Sequence, residues 1–124
     1  MASPDLGQIC VQVHPGRAPE LDLGRLVAAC ETLARCIKGC RGFGRSQGED
    51  EGAYVNLVFA MERPADSWPQ LRDVLLESTE FGSALKQSCM CLCMGANGWS
   101  DYLLLYHFDP AEPVDKLLGA SKGV

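Results

Sequence analysis

The chain has 124 residues, 47% of them hydrophobic and 22% charged, with a formal net charge of −5. That length and composition suit one globular domain with a core of its own and exclude a polar, disordered chain. No apolar run reaches the roughly 18 residues of a membrane helix, and the opening Met1-Ala2-Ser3-Pro4-Asp5 lacks the basic and apolar regions of a secretory leader.

The charge is uneven. Up to residue 45 there are six Arg/Lys against four Asp/Glu, and beyond it five against twelve. The acidic part disfavours nucleic acid, whose phosphates need Lys and Arg. It suits a basic protein partner, because complementary charge steers association.

Ile9 to Val13 alternates in the strand sense, and His14-Pro15-Gly16 ends it. Leu23, Leu26, Val27, Cys30, Leu33, Ala34 and Ile37 then recur at helical spacing. Asp22 is placed to cap that helix, and Gly39 or Gly42 to end it. Arg41 to Gly52 holds four glycines and five charged residues, which predicts an exposed, mobile loop. Tyr54 to Met61 alternates again. Ser67-Trp68-Pro69-Gln70 opens a second helix, with a weak continuation over Thr79 to Gln87.

Cys89 to Met94 is apolar on both faces, as in a buried strand. After the turn at Gly95 to Gly98, Tyr102 to Phe108 returns as a hairpin. Val114 to Leu118 suggests a last helical turn. The order β-α-β-α-β-β predicts a single α/β (α+β) domain spanning 1–124, with an ordered core over about 7–118. It has two layers: a small mixed sheet, parallel through its crossovers, with helices mainly on one face.

Seven cysteines are too many to ignore and an odd number for a disulfide framework. Most fall at core positions, so they read as reduced thiols in a cytoplasmic protein. Alternation puts Cys89, Cys91 and Cys93 on one strand face, about 7 Å apart. Zinc holds sulfur at about 2.3 Å, so these three cannot share an ion. Cys36 and Cys40 have the spacing of one helix face but no second pair to complete a metal site. No metal and no cofactor are expected.

His14 and His107, with Asp101 and Asp109 beside the last strand, have the types for acid–base work, but no spacing requires it. Gly42-Phe43-Gly44 between Arg41 and Arg45 resembles a phosphate cradle, yet it follows a helix rather than joining a strand to one.

What remains is a binding surface. Its acidic candidates are Glu49, Asp50, Glu51, Asp101, Asp109 and Glu112, with Trp99 as the apolar anchor just after a tight turn. The leading expectation is a non-enzymatic domain that inhibits a basic protein partner, in the manner of immunity proteins and antitoxins, without nucleic acid or membrane as partner. The alternatives are a small enzyme or ligand-binding domain with a site near Arg41–Gly52, and a homo-oligomer subunit that uses an exposed sheet face.

Overall fold

The computed structural model describes residues 7–49, 52–95 and 98–115. They form strands β1 (Gly7–Val13), β2 (Cys40–Glu49), β3 (Ala53–Met61), β4 (Cys89–Gly95) and β5 (Gly98–Tyr106). The helices are α1 (Leu23–Cys36), α2 (Pro64–Leu76) and α3 (Gly82–Lys86). The strands make one five-stranded sheet in the order β2-β3-β1-β4-β5, every neighbouring pair antiparallel. The connectivity up to β4 is the split β-α-β pattern of ferredoxin-like domains, with β5 added outside β4.

The two-layer α+β arrangement follows from burial. Ile9, Val11, Val13, Leu57, Phe59, Met61 and Cys89 on one sheet face are fully buried, packed with Leu26 and Cys30 of α1, Leu71 and Leu75 of α2 and Leu85 of α3. Phe59, the largest of the fully buried side chains, lies in β3 and packs at a tilt against Phe43, ring centroids 5.1 Å apart. Asp22 caps α1, accepting from the Arg25 N–H at 3.1 Å. After α1 the chain turns at Gly39, whose φ of +87° is a left-handed value that glycine adopts without strain.

Six expectations change. Within Arg41 to Gly52 the stretch up to Glu49 is not a loop, because it pairs with β3, residue by residue from Gly42 after a register shift at Arg41, and residues 50–51 lie outside the described residues. Its glycines sit at alternate positions and remove the hydrophobic alternation that marks a strand, while Cys40 and Phe43 are its contacts with the core. The extra strand also reverses the chain once more, so the sheet is antiparallel where crossovers predicted parallel pairs. Cys36 and Cys40 do not share a helix face: one ends α1 and the other opens β2.

The second helix starts at Pro64, three residues before the capping-box reading. Ser67 is buried and donates to the Lys38 carbonyl at 3.3 Å, rather than capping. The strand buried from both sides was expected at Cys89–Met94. Its cysteine face is indeed buried, but Leu92 on the other face is only half-buried, and β1 is the central strand. Val114 and Asp115 are not helical, and residues 116–118 lie outside the described residues. Among the described residues no helix is long and apolar enough to cross a membrane.

Candidate functional site

All three helices cover one face of the sheet, and among the described residues no helix covers the other, open face. Register places its side chains in rows across the strands. One row runs Ser46, Asn56, Gln12 and Met90. The next runs Gly44, Val58, Cys10, Leu92 and Leu104. A third begins Gly42, Ala60 and Gln8, and by alternation from Cys93 and Leu103 continues through Met94 and Tyr102. No described side chain in these rows carries a charge. In a chain with 22% charged residues that is a strong local depletion, the compositional mark of a buried interface core.

The first row is linked by hydrogen bonds that run in one direction. Gln12 Nε2 donates to Asn56 Oδ1 at 3.0 Å, and Asn56 Nδ2 donates to Ser46 Oγ at 3.3 Å. Cys10 Sγ also reaches Asn56 Oδ1 at 3.5 Å. His14 Nε2 lies 2.9 Å from Gln12 Oε1, which can only accept, so that ring nitrogen carries a proton. The row therefore spans β2, β3 and β1 and holds its amides in one orientation.

At the end of β1 this row meets an aromatic cluster. The His14 ring is 6.1 Å from Tyr54 and 5.7 Å, edge-on, from Phe108. The Arg17 guanidinium lies 3.9 Å above the Phe108 ring. Burial lowers the His14 pKa below 6.5, and the positive charge of Arg17 and the proximity of His107 lower it further. The two histidines thus share an environment although β4 separates their strands. The cluster pins the segment after β5 onto the turn after β1. His107 Nδ1 accepts from the Asp109 N–H at 2.9 Å, which occupies one of its nitrogens in that turn.

A shallow depression of about 530 Å³ lies between α2, α3 and the segment after β5, lined by Glu77, Ser83, Lys86, Gln87 and His107 among others. Lys86 pairs with Glu77 at 3.5 Å there, both side chains being about half exposed. Surface pairs of this kind contribute little.

The acidic residues singled out from the sequence do not converge. Glu49 closes β2 at the end of the sheet where β1 finishes, and Asp109 and Glu112, both exposed, follow β5 at that same end. Trp99 stands at the other end, near the start of β5. It is 38% exposed, with Nε1 donating to Gln8 Oε1 of the open face at 3.3 Å. Asp50 and Glu51 lie outside the described residues, as does the side chain of Asp101, whose backbone belongs to β5. Asp109 Oδ1 is already occupied by the Ala111 N–H at 3.0 Å.

Sequence reasoning missed Gln12, Asn56 and Ser46. The available signal was the set Gly42, Gly44, Ser46 and Gly48, small residues at every second position, which is strand periodicity written without side chains. It also missed Asp115, whose backbone N–H and Oδ2 hold the Leu104 carbonyl and N–H, at 2.7 and 2.8 Å, on the outer edge of β5.

Among the described residues no group of three or more His, Cys, Asp or Glu is placed to hold a metal ion. The thiols are arranged as core. Burial pushes Cys10 and Cys93 up to about 11 and Cys30 up to about 12, and contact with Cys89 followed by burial raises Cys91. Such thiols are poor nucleophiles and poor metal ligands. No protein-family model matches this chain, and neither a curated protein nor a solved structure matches it.

Proposed function

We propose that this protein is a non-enzymatic protein-binding domain, and that the open face of its sheet is the surface it works with. The observation that carries the reading is the absence of charge among the described side chains of that face, where half-buried Val58, Met90, Leu92, Met94 and Leu104 stand beside exposed Tyr102. A sheet face left uncovered normally alternates to polar and charged residues. An uncharged, partly apolar one is a docking surface.

The test is a pair of variants in the source cell. Leu92→Arg and Val58→Arg should leave the fold intact, because both side chains lie on the open side, and should shift the native complex to lower mass. Triple reversal of Glu49, Asp109 and Glu112 to Lys should leave it unchanged.

A second reading keeps the acidic inhibitor of a basic partner. It is favoured by the placement of exposed Glu49, Asp109 and Glu112 at the same end of the sheet, though on its two opposite edges. Under that reading the two outcomes exchange places: charge reversal abolishes the complex and the open-face variants do not.

A further inference from the structure

We infer that the occupant of the open face is a second copy of this chain, docked about a two-fold axis that runs along β1. The inference rests on the docking reading above and names its partner.

The open face is graded in side-chain size. Across the sheet from β2 to β5, one row reads Gly44, Val58, Cys10, Leu92, Leu104, and the next reads Gly42, Ala60, Gln8, Met94, Tyr102. Both rise from nothing to a large apolar group, and β1 is the middle strand of the five. Turning a copy by 180° about a line along β1 lays its β5 over β2 and its β4 over β3. Leu104 then faces Gly44, Leu92 faces Val58, Tyr102 faces Gly42 and Met94 faces Ala60. Large meets small at Gly44, Gly42 and Ala60, and Leu92 meets the somewhat smaller Val58, which is the self-complementarity an isologous interface requires. Cβ atoms built on Gly42 or Gly44 meet nothing within 4 Å, so the space above these glycines is free to receive those side chains.

Area and charge agree with this occupant. The central strands are seven residues long. At about 3.3 Å per residue and about 4.8 Å between strands, five strands present roughly 550 Å² per copy, or about 1,100 Å² buried in all, which passes the roughly 1,000 Å² minimum of a biological interface and lies at the small end of the range. Each copy carries −5, so two copies can meet without opposing like charges only through a surface that has none. A basic partner would gain nothing from such a surface. In the polar row, Gln12, Asn56 and Ser46 already bond to one another and can lose water at reduced cost. Cys10 lies on the axis strand, so the geometry sets it opposite Cys10 of the second copy, across sheets about 10 Å apart.

The experiment is sedimentation of the full chain across a concentration series, with two variants. The unsubstituted protein should be dimeric. Gly44→Leu should leave the fold unchanged, because the added side chain enters free space, and should weaken the dimer at least about tenfold. Adding Leu104→Ala to Gly44→Leu should recover most of that loss, because the removed side chain is the one the new leucine would strike.

A dimer indifferent to Gly44→Leu, or a loss that Leu104→Ala does not repair, would each overturn the two-fold along β1. A protein that stays monomeric throughout overturns the self-pairing. In that case the docking reading still stands if Leu92→Arg lowers the mass of the native complex, and it falls with the inference if that complex is also unaffected.

Discussion

His14 joins the polar row of the open face to the aromatic cluster, and its depressed pKa follows first from burial, then from Arg17 and His107. A histidine that resists protonation in the fold but accepts it freely when unfolded makes the native state less stable as the proton binds. Stability from His14 is therefore fully present above pH 6.5 and is lost as pH falls from there through the folded pKa. Nuclear magnetic resonance should find His14 titrating below 6.5, and His14→Gln should flatten the pH dependence of the denaturation midpoint below that value. An unshifted titration would remove the argument.

The thiols make a second residue-scale prediction. Cys36 is exposed and Cys40 half-buried, whereas Cys10, Cys30 and Cys93 sit at about 11, 12 and 11. At pH 7 those three hold on the order of a hundredth or less of the thiolate of an ordinary cysteine. Native-state alkylation should label Cys36 first and Cys40 next, with the other three following only on denaturation. This burial was readable in advance, because alternation alone puts Cys89, Cys91 and Cys93 on one face. The polar row was not, since no spacing within one strand reveals which partner lies across it.

At the scale of the element, the legible parts were those in which one local period dominates. The stripe Leu26, Cys30, Ala34 gave α1, and the alternation Val55, Leu57, Phe59, Met61 gave β3. β2 hides because its open face is glycine and serine, and its other face carries Arg45 and Gln47 beyond Phe43. What makes it a strand is pairing to β3, a non-local cause. Missing it changed the parity of the chain and hence the direction of every later strand.

Amide exchange tests the correction. β2 is an edge strand, so every second N–H between Cys40 and Glu49, the set bonded to β3, should exchange slowly. Uniformly fast exchange would restore the loop. At the turn that launches β2, Gly39→Ala should cost about 1–2 kcal/mol in denaturant unfolding, because φ of +87° strains an L side chain. Phe59→Ala, in the strand that β2 and β1 flank, should cost about 3–5 kcal/mol.

For the whole molecule, salt separates the two readings of function. Every copy carries −5, and its acidic groups at Glu49, Asp109 and Glu112 lie on an end of the sheet rather than on its open face. Two copies docking through the open face approach against their mutual repulsion, which added salt screens once the Debye length falls to about 8 Å at physiological ionic strength. Self-association should accordingly tighten modestly between about 10 mM and 150 mM salt. Most of that gain should lie in the association rate, because no charged pair forms in the contact. A basic partner at the acidic end behaves oppositely: attraction speeds the encounter at low salt, and screening weakens it. Sedimentation or stopped-flow mixing across that salt range gives the sign directly. A dimer that loosens as salt rises would mean that charged groups form its contact, and the open face would then lose its claim to be the interface.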